Sequence, residues 1–278
     1  MGPDRDVRRG PAGISGAGRA ELTRVLGRGK RLVTVDDAAL ALGIDSRAAA
    51  KRLAAWAKQG WMRRARQGLY LPVPVDAERP DEWTEDPFYL ASSVWDPAFV
   101  TGWTSANHWG LTDQVFRTTV VKTGQRVRRT AAEVAGNPFL LVHAAENELR
   151  WGTQLEWRGD RRVQVADPAR TIIDIADRPA IGGGIRLVAE ILETYLQSHD
   201  AKTLIRYAER LGNRAVFKRL GFLTETLGLG QTNLIEACLE RKSKGYVLLD
   251  PSGSETGRRV SRWGLRANVN VEGTATIS

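Results

Sequence analysis

Apolar positions in the first quarter of the chain recur at helical spacing and then give way to a short alternating stretch. Leu22, Val25 and Leu26 share one face of a helix, and similar spacing continues through two further short segments. Residues 62–72 alternate instead and contain a Gln-Gly pair that is typical of a turn between two strands. The predicted elements are helices over residues 19–28, 35–42 and 46–59, then a β-hairpin over residues 62–72.

Residues that favour helix ends bound the second and third helices. Thr34 and Ser46 are predicted N-caps, because their hydroxyls can accept a hydrogen bond from the first helical turn. Gly43 and Gly60 are predicted to stop the same two helices. Three short helices followed by a hairpin is the order of a winged helix-turn-helix, which we predict for residues 19–75.

The third helix sorts its residues onto two faces. Arg47, Lys51 and Lys58 fall within about 40° of one another around the helix axis. Leu53 and Trp56 project from the opposite side, so one face can pack while the other meets solvent or a ligand. Any amphipathic helix exposes charges, so the DNA-binding interpretation also depends on the charge distribution along the chain.

Excess positive charge is confined to this first quarter. Residues 1–75 hold 15 Lys and Arg against 6 Asp and Glu, whereas the remaining residues hold 26 of each kind. Cations that neutralise DNA phosphates release condensed counterions, which favours a double-stranded DNA partner for the basic segment. The candidate DNA-binding residues are Ser46, Arg47, Lys51, Arg52 and Lys58 on the third helix, and Arg63, Arg64 and Arg66 on the hairpin.

The rest of the chain mixes strands and helices. Residues 76–87 are rich in Pro and acidic residues and are predicted to be a linker, while residues 1–18 are predicted to be a disordered basic tail. Within residues 88–272, positions 88–166 read mainly as strands with two short helices, positions 167–242 read as helices, and strand-like pieces near 246–249 and 263–269 follow them. We therefore predict an α+β protein, with an N-terminal winged helix-turn-helix followed by a larger mixed α/β domain whose C-terminal half is helical.

Two local patterns in the larger domain have structural explanations. Asp167 precedes a proline and is a predicted N-cap, and Arg170 and Asp174 are spaced to form an ion pair on the surface of the same helix. The triple glycine at 182–184 precedes another helix, where backbone N–H groups can bind phosphate. It lacks a nucleotide-binding fingerprint, so a flexible connector is favoured.

A search for catalytic chemistry finds little. The three histidines lie far apart in the sequence without metal-ligand spacing, and neither a phosphate-binding loop nor a nucleophile-elbow motif occurs. Cys238 is expected to be a small buried apolar residue. We predict no catalytic residue, no metal and no cofactor. The chain has no apolar run long enough to span a membrane, and a cytoplasmic location is expected.

Four segments of the larger domain resemble the AbiEi antitoxins of type IV toxin–antitoxin (abortive infection) systems. Together with the predicted N-terminal module they extend over about residues 19–270. The segments are FVTGWTSANHWGLTDQ (99–114), VADPARTIIDIADRP (165–179) with GGGIRLVAEILETYL after it, NRAVFKRLGFLTETLG (213–228) and LDPSGSETGRRVSRWGLRANV (249–269). Ala169 departs from the pattern, since an acidic residue is common there in the family.

The resemblance implies a transcriptional autorepressor and antitoxin without enzymatic activity. In such a protein the winged helix binds inverted repeats upstream of the operon, which suggests two copies per operator. The C-terminal domain supports repression and counteracts, directly or functionally, a cognate toxin that resembles a nucleotidyltransferase.

Two other functions remain open from the residues alone. Glu240 and Lys242 match the E-x-K half of a nuclease motif, so a metal-dependent nuclease targeted by the basic module is one alternative. The segment reads as a helix, whereas such motifs need a strand. The other alternative is a transcription regulator with a ligand-sensing domain and no toxin.

Overall fold

The computed structural model describes residues 13–27, 29–74, 77, 83 and 85–271. Most of the predicted basic tail (1–18) and of the predicted linker (76–87) lies outside the described residues. Within the tail, the first helix begins at Gly16, three residues earlier than its apolar pattern predicts. Ser15 caps it, because its hydroxyl accepts a hydrogen bond from the Gly18 amide at 3.1 Å.

The N-terminal module consists of three helices and a small sheet. Its strands lie in the order β1-β3-β2, and both pairings are antiparallel. The three helices and the hairpin follow the predicted order, and the two-residue strand β1 is an addition. The elements are α1 (Gly16–Leu26), β1 (Val33–Thr34), α2 (Val35–Leu42), α3 (Ser46–Lys58), β2 (Met62–Arg66) and β3 (Leu69–Pro72).

Local side-chain chemistry explains where α2 and α3 begin. Thr34 caps α2 as predicted, and Asp37 completes a reciprocal capping box with it. The predicted cap of α3 is wrong by one residue: the carboxylate of Asp45 accepts from the Ala48 amide at 2.9 Å, and Ser46 is the first helical residue. Aspartate and serine cap equally well, so only backbone geometry distinguishes the two positions.

A six-stranded sheet forms the first half of the larger domain. Its order is β6-β7-β5-β4-β9-β8, with parallel pairing of β5 with β7 and of β4 with β9. The remaining pairs are antiparallel, so the sheet is mixed. The elements are α4 (Pro87–Val94), β4 (Ala98–Val100), α5 (Gly102–His108), β5 (Thr119–Thr123), β6 (Ala131–Val134), β7 (Asn137–His143), β8 (Thr153–Arg158) and β9 (Arg161–Ala166).

Helices dominate the second half, as predicted, and a three-stranded sheet of order β10-β12-β11 closes it. Asp167 caps the first of these helices by accepting from the Arg170 amide at 2.7 Å, also as predicted. The chain is therefore a mixed α+β protein. The elements are α6 (Pro168–Asp177), α7 (Ile185–Ser198), α8 (Ala201–Leu211), α9 (Ala215–Thr226), α10 (Thr232–Arg241), β10 (Val247–Leu248), β11 (Arg258–Val260) and β12 (Leu265–Ala267).

The hairpin β2–β3 packs on both of its faces. Met62 and Tyr70 belong to the apolar core of the helical module. Leu69 and Leu71 instead join a second core that includes Phe139 of the six-stranded sheet. The hairpin therefore ties the N-terminal module to the larger domain through buried apolar surface.

Polar contacts strengthen the same junction. The Arg31 guanidinium binds the carboxylate of Glu85 at 3.2 Å and that of Asp160 at 2.7 Å. The Ala135 amide donates to the carbonyl of Ala65 on β2 at 3.1 Å. These contacts position the module against the edge of the larger domain.

Candidate nucleic-acid interface

The exposed face of α3 carries the cations that the helical spacing predicts. Arg47, Lys51 and Lys58 are all exposed. Leu53 and Trp56 on the opposite face are 0% and 2% exposed, because they fill the core of the module. The structure thus brings three of the candidate DNA-binding residues together as one stripe.

The other two α3 candidates lie beside that stripe. Ser46 is exposed at the first helical position, near the helix N-terminus. Arg52 is turned toward α1, where its Nε lies 3.2 Å from a carboxylate oxygen of Glu21. About half of the Arg52 side chain stays exposed, so it links two helices while bordering the stripe.

The three arginines of the hairpin do not share one environment. Arg64 and Arg66 are both exposed, as positions two residues apart along a strand can be, although the pairing register shifts between them. Arg63 is half-buried opposite Leu71 on the face that packs against the larger domain, and its guanidinium donates to the carbonyl of Trp83. Strand alternation therefore separates Arg63 from the other candidates.

The cationic surface consists of Arg47, Lys51, Lys58, Arg64 and Arg66. Across the part of the chain that the structure describes, none of these five residues forms an ion pair with a carboxylate. Unpaired, exposed guanidinium and ammonium groups retain their full charge toward an external polyanion. Phosphate oxygens of a nucleic acid are the ligands that such groups bind well.

The other groups that the sequence suggested as ligand-binding or catalytic are bound by partners within the protein. Asp250 occupies the N-terminus of α7 after the triple glycine, with its carboxylate 2.8 Å from the Ile185 amide. Glu240 lies exposed on helix α10 and binds Arg241 at 2.8 Å. In the described ranges no three His, Cys, Asp or Glu side chains are grouped to hold a metal ion.

A charged cluster in the larger domain corrects one sequence expectation. Arg170 and Asp174 pair as predicted from their spacing, but both are completely buried instead of lying on the surface. Lys122 and Thr101 also bind the Asp174 carboxylate, at 2.8 and 2.7 Å. Packing of α6 against the sheet encloses the pair, which helical periodicity alone does not reveal.

Comparison with known families gives an independent reading of the N-terminal module. Residues 20–73 match the model of the family described as "Transcriptional regulator, AbiEi antitoxin". The match confirms the family resemblance for this module. The AbiEi match ends at β3, so the four segments of the larger domain that resemble the family lie outside it.

A solved structure has a similar fold over nearly the whole chain. The crystal structure of the RV2827C protein from Mycobacterium tuberculosis superposes with a TM-score of 0.61 and covers 93% of this chain and 94% of its own. Its sequence identity is 16%, so the likeness concerns the fold alone. No curated protein sequence matches this chain significantly. Among the described residues, no helix combines the length and the apolarity that crossing a bilayer requires.

Proposed function

We propose that this protein is a DNA-binding transcriptional autorepressor and antitoxin of the AbiEi type. Its N-terminal module acts as a winged helix-turn-helix, in which α3 enters the major groove and the hairpin contacts the neighbouring backbone. The element order of the module, helix-strand-helix-helix-strand-strand, supports this interpretation. The family that the module matches is described as a transcriptional regulator and antitoxin.

The cationic surface is the observation that carries the proposal. Arg47, Lys51 and Lys58 project from one helix face toward solvent, and the hairpin adds two exposed arginines. Small Ala54 lies exposed within the stripe and lets the helix backbone approach a groove closely. Phosphate contacts from such residues position a protein on duplex DNA, while the same helix reads base edges.

The partners follow from the family resemblance. The DNA partner is an inverted repeat upstream of the operon, bound by two copies of the protein. The second partner is a cognate nucleotidyltransferase-like toxin, which the larger domain counteracts directly or functionally. Both activities take place in the cytoplasm.

The DNA-binding part is tested by measuring affinity for a duplex that carries the upstream region of the gene. Replacing Arg47 and Lys51 with Ala removes two exposed charges and should weaken binding at least tenfold, since a phosphate or base contact is worth about 1–3 kcal/mol. The matched control replaces Lys202 and Arg206, two exposed cations of α8, with Ala. Equal affinities for the two double variants would place the DNA site elsewhere.

The antitoxin part is tested by co-expression with the toxin gene next to this one. Full-length protein should restore growth, and so should the Arg47→Ala/Lys51→Ala variant when both genes are expressed from a foreign promoter. Failure of the full-length protein to restore growth would refute the antitoxin role without affecting the DNA-binding proposal. Absence of a nucleotidyltransferase-like neighbour would favour the ligand-sensing alternative.

A further inference from the structure

A second group of cations lies far along the chain, around the sheet β10-β12-β11. Residues 242–267 contain six Lys and Arg against two Asp and Glu, whereas residues 88–272 as a whole contain 25 against 20. Arg258, Arg259 and Arg266 of this sheet are exposed, and so is Lys244 just before it. The local excess of positive charge is therefore concentrated on a small part of the larger domain.

Two of these arginines face each other across the sheet. Arg259 of β11 and Arg266 of β12 are direct partners in the antiparallel register, so their side chains leave the same face. Like charges at directly opposite positions destabilise a strand pair. No carboxylate of the described residues pairs with either one. An anion bound between them would relieve that repulsion.

Two of the three nearby carboxylates are already engaged. Asp250 is nearly buried and accepts from the Ile185 amide and from Ser252. Glu225 binds the Arg262 guanidinium at 2.8 Å and the Trp263 indole at 2.6 Å. Glu255 remains, in the exposed loop between β10 and β11, and it leaves most of the local positive charge uncompensated.

An exposed aromatic ring accompanies these cations. Tyr246 precedes β10, is 44% exposed, and has the Arg259 guanidinium 5.7 Å from its ring centre. Its hydroxyl binds Ser261 at 3.0 Å, which holds the ring beside β11. Proteins bind single-stranded nucleic acids with cationic side chains that contact the phosphate backbone and with aromatic rings that stack on the bases.

We infer that the outer face of this sheet binds a single-stranded polynucleotide. Arg259 and Arg266 contact successive phosphates, Lys244 extends the cationic track, and Tyr246 stacks against a base. Duplex binding by the N-terminal module uses a helix that fits a groove, whereas this face offers an open three-stranded surface. The inference concerns a different surface from the proposed operator site and does not depend on it.

The experiment uses full-length protein carrying Arg47→Ala and Lys51→Ala, so that the N-terminal module contributes little. Fluorescence anisotropy measures binding of labelled oligouridylate, oligothymidylate and a mixed-sequence duplex over a range of salt concentrations. Adding Arg259→Gln and Arg266→Gln should weaken binding to the single strands about tenfold and make the log K against log salt slope shallower by about 1.4, for two lost phosphate contacts. Tyr246→Ser should weaken binding and leave the salt slope unchanged.

Matched variants separate this site from general charge effects. Lys202→Gln with Arg206→Gln removes two exposed charges from α8 and should leave single-strand binding unchanged. Arg259→Lys with Arg266→Lys keeps the charges and should preserve the salt slope. Both pairs are exposed, so melting temperatures should match that of the parent protein.

Several results would overturn the inference. They are absence of single-strand binding in the parent, unchanged affinity after the two glutamine substitutions, and equal loss of duplex and single-strand binding. Displacement of the oligonucleotide by polyglutamate at the same charge concentration would instead indicate an acidic protein partner. Failure of operator binding to respond to Arg47→Ala and Lys51→Ala would refute only the N-terminal proposal.

Discussion

The Nε of Arg170 lies 2.8 Å from Oδ1 of Asp174, and neither side chain is exposed to solvent. The Nζ of Lys122, on the central strand β5, lies at the same distance from that oxygen. Glu148 balances the two cations by approaching Lys122 at 3.1 Å, and the Arg170 guanidinium stacks over Trp151 at 3.6 Å. This network joins α6 to the six-stranded sheet.

Removing the charge of Asp174 should therefore be costly. Asp174→Asn leaves two buried cations that share one remaining carboxylate, and breaking a buried pair costs about 3–5 kcal/mol. Denaturant unfolding monitored by tryptophan fluorescence measures the loss. Glu146→Gln is the control, because its i,i+4 pair with Arg150 is exposed and worth at most about 0.5 kcal/mol. A loss below about 1 kcal/mol for Asp174→Asn would mean that the cluster contributes little to stability.

The same carboxylate predicts a pH dependence of stability. Burial by itself raises the pKa of Asp174, but Lys122 and Arg170 outweigh burial and hold that pKa below its ordinary value of 3.8. The unfolded chain takes up the proton first as the pH falls, so the contribution is complete above pH 3.8 and is lost as the pH falls through the lower folded pKa. Melting temperatures measured from neutral to acidic pH should fall more steeply in the parent than in Asp174→Asn. Parallel curves would contradict this assignment.

Gly221 should tolerate no side chain. It lies inside α9, and a Cβ added there would be 2.1 Å from a ring carbon of the buried Trp263 and 2.9 Å from Cβ of Cys238. Gly221→Ala should reduce the free energy of unfolding by roughly 1–3 kcal/mol through overpacking. Gly16→Ala, at a helical position with open space, should change it by less than about 1 kcal/mol. Similar effects of the two substitutions on denaturant midpoints would show that the Trp263 ring moves aside freely.

Cys238 should be unreactive in the folded protein. Its side chain is completely buried, and burial raises the pKa of the thiol to about 12, although Arg241 opposes the shift. The thiolate is the reactive form, so a disulfide reagent at mildly alkaline pH should label the native protein only as fast as it opens. Adding denaturant should give immediate labelling of one thiol per chain. Rapid labelling without denaturant would show that α10 opens readily.

The affinity for operator DNA should fall with salt concentration, and the steepness of the fall should reflect the number of exposed cations that contact phosphates. Five residues form the cationic surface, and neutralising about five phosphates gives a slope of log K against log salt near −4 to −5 for each copy of the protein that binds. Titration of the upstream duplex at several salt concentrations measures this slope. Arg63→Gln should leave the slope unchanged, since Arg63 is turned toward the larger domain. A flat salt dependence would remove the electrostatic basis of the proposed function.

Some features follow from short stretches of sequence because their causes are local. The stripe of Arg47, Lys51 and Lys58 depends only on the period of a helix, and the structure shows it exposed. Capping by Thr34 and Asp167 depends on bonds that span three residues, and both caps are confirmed. Buried Cys238 follows from its apolar neighbours in a helical pattern.

Other features depended on which elements pack together. Strand alternation puts Arg63 and Arg64 on opposite faces of the hairpin, but that the face of Arg63 is the covered one depends on contact with the six-stranded sheet, which no local pattern encodes. The opposition of Arg259 and Arg266 arises from strand register.

The sequence by itself determined the order of helices and hairpin in the N-terminal module, its cationic helix face and its family resemblance. Only the tertiary structure decided that Arg170 and Asp174 are buried with Lys122, a residue 52 positions away from Asp174. The physical reason is that helical period and capping are set by neighbours within a few residues. Burial and charge pairing depend instead on surfaces that distant segments bring together.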